Sequence, residues 1–230
     1  MPRFYDDIDL NEGLVLDLIA GPKALGSDRK VLDFSKYHNN GTIYGPTWTQ
    51  LSSGLWVMSF DGTDDYVEVP HSSSLDVADL TVSLWVRYGG EGTAGKLHWA
   101  LINKNNTSSG PNDTFNLYVY ADSGALAVRI GNGTTQVVLT TSGIDIRDQA
   151  WYHVAFTRSG TALTLYVDGI SHDTDNLSGS TTNTDPLTLG VWKGYLNYFK
   201  GYIAEARIYN RALSAEEISA RYHRTKWRYE

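Results

Sequence analysis

The 230-residue chain contains no cysteine. Thiol nucleophiles, zinc–thiolate centres and a disulfide framework are therefore excluded. No apolar run approaches transmembrane length, so insertion into a membrane is not expected. The first residues, Met1-Pro-Arg-Phe-Tyr-Asp-Asp, carry no apolar leader of the secretory kind. Basic charge is scarce: 19 Lys and Arg stand against 26 Asp and Glu, for a net charge of −7. Phosphate backbones call for clustered cations, so a nucleic-acid partner is not expected. Catalytic phrases are missing too. There is no E-x-D-x-x-E run, no G-x-S-x-G elbow and no H-E-x-x-H helix. Glu68, Glu91 and Glu205 each lack a carboxylate two residues away, and Asp64-Asp65, if extended, would point in opposite directions. Glycosidic hydrolysis needs a facing pair of carboxylates, so the chain is not expected to be an enzyme.

What is present is a succession of short apolar or alternating runs separated by Gly, Asn, Asp and Ser. This pattern predicts an all-β antiparallel sandwich. Strands are expected over Gly13–Ala20, Thr42–Tyr44, Leu55–Phe60, Tyr66–Val69, Thr81–Tyr88, Leu97–Lys104 and Phe115–Tyr120. Further ones follow over Ala125–Ile130, Gln136–Thr140, Trp151–Arg158, Leu163–Val167, Leu187–Gly190 and Tyr202–Tyr209. Asn40-Gly41, Asp61-Gly62, Asn132-Gly133 and Asp168-Gly169 offer the positive φ of tight turns. Helical periodicity is nearly absent before Ser214, where Ser214 and Glu217 form a capping-box signature for one short C-terminal helix. No linker divides the chain, so residues 1–230 are expected to form one domain, with an arm at 1–12 and a tail at 223–230.

Alternation also sorts the side chains by face. Val82, Leu84 and Val86, Leu117 and Val119, Leu126, Val128 and Ile130, Val154 and Phe156, and Leu163, Leu165 and Val167 read as core. Opposite them lie Trp85, Arg87, Asn116, Tyr118, Tyr120, Arg129, His153 and Tyr166, expected as one sheet face. Aromatic rings stack on sugar faces and planar polar groups read hydroxyls, so this composition suits a glycan. It equally suits a solvated or loop-covered sheet, or a protein contact. The aromatic loop Trp192–Phe199, with Tyr195 and Tyr198, either packs beneath itself or marks an interface. Trp227 lies in a basic tail that either opposes the helix dipole or docks on another copy, for which the acidic Phe4–Asp9 has complementary sign.

Several phrases resemble laminin-G-like jelly-roll domains of the concanavalin A-like lectin/glucanase superfamily. They are Asp33 to Thr42 (D-F-S-K-Y-H-N-N-G-T), Phe60 to Val67 (F-D-G-T-D-D-Y-V), Leu80–Arg87, Trp151 to Arg158 with Leu163 to Gly169, and the closing I-A-E-A-R-I-Y-N-R-A-L-S. The resemblance runs in order from about Gly13 to Tyr222 and implies a two-sheet jelly roll with a short C-terminal helix. It further implies a lectin-like module that binds carbohydrate or a surface partner, in an extracellular, cell-surface or virion setting. A structural subunit that self-associates through its aromatic loops is the alternative. One calcium ion is implied near Asp33, Asp61 and the carbonyl of Gly62. Ala204 stands where the family phrase has a third carboxylate, and Glu205 beside it is expected on the opposite strand face.

Overall fold

The structure, a computed structural model, describes residues 9–18, 29–105 and 114–230. The acidic segment Phe4–Ile8, the last two residues of the expected strand Gly13–Ala20, and residues 106–113 lie outside them. In chain order the strands are β1 (Leu14–Leu18), β2 (Lys30–Val31), β3 (Gly41–Tyr44), β4 (Thr47–Gln50), β5 (Trp56–Asp61) and β6 (Tyr66–Val69). Then come β7 (Leu80–Tyr88), β8 (His98–Lys104), β9 (Phe115–Tyr120), β10 (Leu126–Gly131), β11 (Gln136–Thr140) and β12 (Trp151–Ser159). The rest are β13 (Ala162–Val167), β14 (Ile170–Asn176), β15 (Leu187–Leu189), β16 (Val191–Trp192), β17 (Asn197–Tyr198) and β18 (Lys200–Tyr209), followed by the helix α1 (Ala215–Thr225).

Two sheets face one another. The first runs β14-β13-β12-β7-β18-β5-β4, with β1 also paired to β18, and the second runs β11-β10-β9-β8-β15-β6-β3-β2. Strand β18 is long enough to serve two partners: Lys200 to Ile203 pair with β5, and Ala206 to Tyr209 with β1. The aliphatic residues expected as core fill the space between the sheets, and Phe115 and Phe156 meet there with ring centroids 5.3 Å apart. Each such side chain contributes roughly 1.5–3 kcal/mol on leaving water. This is the antiparallel sandwich that alternation and the family phrases imply.

Local chemistry explains the turns and the exceptions. Asp168 (φ 51°) and Gly169 (φ 80°) close the β13–β14 hairpin with two left-handed residues, the geometry that fits strand twist. Asn40-Gly41, by contrast, is not such a turn. Gly41 lies in β3, where an added Cβ would sit 2.7 Å from Val67 and 2.8 Å from Val31, so its role is close packing. Strand β14 escaped the sequence pattern because Ile170–Asn176 is polar and largely exposed, an edge held by its ladder to β13. The helix begins as its sequence implies: Ser214 Oγ accepts from Glu217 N (3.3 Å), and Ser214 N donates to Glu217 Oε2 (2.7 Å).

A bulge in β18 corrects a further expectation. Between the pairs Ile203–Val86 and Ala206–Leu84, two residues of β18 oppose one of β7. Ala204 and Glu205 therefore leave the core on the same outer face instead of opposite faces, and alternation resumes at Ala206.

Candidate functional site

The outer face expected to be continuous is divided between the two sheets. Trp85, Arg87, His153 and Tyr166 belong to β7, β12 and β13 of the first sheet. Asn116, Tyr118, Tyr120 and Arg129 belong to β9 and β10 of the second. The eight residues thus point away from the core on opposite sides of the sandwich and cannot form one groove. Alternation assigns a side chain to a face of its strand but does not say which sheet the strand joins.

Each face has its own cover. On the second sheet the β16–β17 hairpin folds over the strands. Trp192, expected at an interface, is fully buried, with the Arg129 guanidinium 4.2 Å from its ring centroid and Tyr195 edge-on at 4.3 Å. His98 lies between Trp192 (5.4 Å) and Tyr118 (4.7 Å), and burial with the nearby charges of Arg129 and Lys96 lowers its pKa to about 4. Asn116 and Tyr118 are buried, while the Tyr118 hydroxyl donates to that of Tyr120 at 3.1 Å. Tyr198 is half-buried; Tyr195 and Trp227 are exposed.

On the first sheet the cover is α1 and the residues after it. Tyr166 packs with Ala155, Tyr209, Leu213 and Ile218. His153 is fully buried, its Nε2 2.9 Å from Ser83 Oγ, and burial, reinforced by Arg221 and Arg207, lowers its pKa to about 3. It is a packing residue beneath the helix rather than a group open to a ligand. Trp85 donates from Nε1 to Thr225 Oγ1 (3.0 Å) and stacks against Tyr229, with centroids 4.2 Å apart.

An ionic layer fastens this cover. The bulge aims Glu205 at the helix, where Oε2 accepts from Arg221 at 2.8 Å and Oε1 pairs with Arg228. Arg207 lies 3.8 Å from Glu205 and 2.7 Å from Asp17. Both Glu205 and Arg221 are 3% exposed, so each depends on the other for the solvation it has lost.

Beyond Tyr229 the cover stops, leaving a cleft of about 670 Å³ between the sheet, the β4–β5 turn and the chain end. Cross-strand register builds its floor. Arg87 and Trp151, paired between β7 and β12, line it, while Tyr202, the β18 partner of Arg87, lies outside the lining; all three are half-buried. The Arg87 guanidinium sits 5.8 Å from the Tyr202 ring centroid, and the Trp151 and Tyr229 rings are 5.0 Å apart. Gln50, Gln149, Lys226 and Glu230 contribute polar groups at the rim. Trp85 and Arg87 are the two expected ligand residues found here. Trp151 was missed although its parity matches that of His153. Lys226 and Tyr229 had no strand pattern to reveal them.

The cation site implied by the resemblance is also rearranged. Asp33 is committed to its turn: Oδ1 accepts from Asp17 N and Ser35 N, and Oδ2 from Ser35 Oγ and Asn39 N, all within 2.8 Å. Ala204 packs with Val57, Trp85 and Tyr229. The acidic group that converges is Asp61, Asp64 and Asp65, with one oxygen of each within 4.8 Å of the others. Asp64 and Asp65 sit in a turn, so the strand-based expectation that they diverge does not hold. The Gly62 carbonyl accepts from Thr93 Oγ1 at 3.4 Å. The three aspartates could coordinate a divalent cation such as calcium, since hard oxygens are what it prefers.

A family model described as the concanavalin A-like lectin/glucanases superfamily, of the laminin G type, matches residues 61–219. No curated protein matches the sequence. Among solved structures, the binding domain of Paraclostridial Mosquitocidal Protein 1 superposes with a TM-score of 0.73 at 18% identity, covering 93% of this chain and 52% of that one. The binding domain of Botulinum Neurotoxin DC in complex with SialylT gives 0.71 at 15% identity, covering 94% and 52%. The same domain in complex with rat synaptotagmin II gives 0.71 at 16% identity, again covering 94% and 52%. The chain thus spans about half the length of these structures. At such identities the likeness speaks to fold. Among the described residues no helix is long and apolar enough to cross a membrane.

Proposed function

The chain belongs to the concanavalin A-like lectin/glucanases superfamily, and from that membership we propose a non-catalytic binding module that takes a saccharide in the cleft beside its C-terminal helix. The observation carrying this reading is the lining of the cleft, where the half-buried Arg87 and Trp151 are paired across the ladder and the Tyr229 ring lies 5.0 Å from that of Trp151. A ring offers an apolar face to the C–H side of a pyranose, and flanking planar groups fix its hydroxyls. Among the described residues Glu230 is the one carboxylate lining the cleft, and hydrolysis would need a facing pair. Two of the superposed binding domains were solved with SialylT and with rat synaptotagmin II, which supports a recognition role, met outside a cell or at its surface.

A glycan array on the intact protein, followed by titration of the best hit, tests the reading. Trp151→Ala should weaken binding at least tenfold, because losing one stacked ring costs on the order of 1.4 kcal/mol or more. Tyr118→Phe, on the covered second sheet, should bind as the parent does. An array with no hit, or equal binding by Trp151→Ala, removes the cleft from consideration.

Calcium at Asp61, Asp64 and Asp65 is a separate part of the proposal. The ion would tie the β5–β6 turn, where these three carboxylates converge. Calcium at a hundredfold its dissociation constant should stabilise the fold by ~2.7 kcal/mol. Thermal melts with calcium and with chelator should differ accordingly, and superposed melts would reject the ion.

A further inference from the structure

We propose that the saccharide is an acidic one and that Arg87 is the group that pairs with its carboxylate; the proposal rests on the cleft being the saccharide site. The other arginines of this face have acidic partners. Arg207 has Asp17, and Arg221 and Arg228 have Glu205. Arg87 lies on the same sheet face, half-buried, and has no carboxylate partner among the described residues. Its neighbours across the ladder are Trp151 and Tyr202, and the guanidinium lies 5.8 Å from the Tyr202 ring centroid, a contact that leaves its N–H donors unsatisfied. A partly desolvated guanidinium with open donors is a fork for a planar, two-oxygen anion, and a carboxylate matches it bidentately.

The surroundings favour the same sign. Lys226 lines the cleft with its Nζ 5.6 Å above the Tyr222 ring, and its one acidic contact is the exposed Glu230 at 3.8 Å. On a protein of net charge −7, this cationic recess with aromatic walls is a local reversal of the overall field. Aromatic rings supply the saccharide platform and Arg87 with Lys226 the anion recognition, so both halves of an acidic sugar have a counterpart.

Matched pairs distinguish this proposal from the broader one: sialyllactose against lactose, and an oligogalacturonate against its methyl ester, titrated with the intact protein. The carboxylated member of at least one pair should bind tenfold or more tightly than its neutral partner, with the gap narrowing as salt is raised. Arg87→Gln should abolish that gap, bringing the carboxylated member down to the affinity its neutral partner has for the same variant, and Arg87→Lys should restore part of it. The melting temperature of Arg87→Gln should fall only slightly, because no ion pair among the described residues is lost and only the contact with the Tyr202 ring is given up. Equal binding of both members of each pair, lost together in Trp151→Ala, would overturn the acidic ligand and leave the saccharide cleft standing. Absence of binding to every saccharide would overturn both. A charge preference that survives in Arg87→Gln would overturn the role of Arg87.

Discussion

Replacing Glu205 by alanine is expected to cost about 3–5 kcal/mol of folding stability, the range for breaking a buried ion pair by removing one partner. The reason is geometric. The bulge in β18 turns Glu205 out of the strand and under the helix, where its two oxygens hold Arg221 and Arg228. Without the carboxylate, Arg221 keeps its charge at 3% exposure, and among the described residues only Asp17, already paired with Arg207, still acts on it. Arg228 would also be released, and with it the neighbouring Tyr229, which covers Trp85. Urea denaturation reads the effect as a lower midpoint at unchanged slope. The double variant Glu205→Met with Arg221→Met should recover most of the loss, because both buried charges are then gone. A single variant within about 1 kcal/mol of the parent would show that the layer is solvated and does not fasten the helix.

Acidification should destabilise the fold well above the range where ordinary carboxylates titrate. His153 is held at about 3 and His98 at about 4, chiefly by burial. An unfolded histidine takes up its proton near 6.5. Both folded values are depressed, so from about pH 6.5 downward the unfolded chain binds protons that the native state refuses. Stability is then lost at up to ~1.4 kcal/mol per pH unit for each histidine. Asp17, Asp65 and Asp168, whose carboxyls burial pushes up, act in the opposite sense as pH falls. The cleanest reading is therefore a comparison. His153→Gln can keep a hydrogen bond to Ser83 but cannot titrate, so its stability should fall less steeply than the parent's between pH 6.5 and 4.5. Parallel slopes for the two proteins would mean that His153 is protonated in the native state.

Much of the architecture was legible in the residues. The apolar positions of β7, β9, β10, β12 and β13 all enter the core as alternation implies, because a half-buried strand has only two faces to offer. The capping box placed the helix start. What the pattern missed, it missed for physical reasons. Strand β14 is polar because only one of its edges and none of its faces is deeply buried. The bulge at Ala204 and Glu205 leaves no trace in hydrophobicity, since alanine suits either face.

The candidate site was legible only in part. Trp85 and Arg87 were correctly placed on an outward face, yet grouping them with Asn116, Tyr118, Tyr120 and Arg129 required sheet membership, which is set by non-local pairing. The covers were equally hidden. That Trp192 would bury itself on the second sheet, and Tyr229 on Trp85, depends on contacts made across long stretches of chain. Asp33 shows the same limit from the other side. A carboxylate that could be a ligand is instead saturated by three donors of its own turn and the Asp17 N–H of β1.

The most direct test of where this protein binds is amide hydrogen exchange with and without a saturating saccharide identified on the array. Slowed exchange at Gln149–Trp151, Arg87 and the segment from Tyr222 to Tyr229 is the expected result, because these residues line the cleft or frame it. Slowed exchange confined to β9, β10 and the hairpin from Val191 to Tyr198 would contradict it and place the ligand on the second sheet.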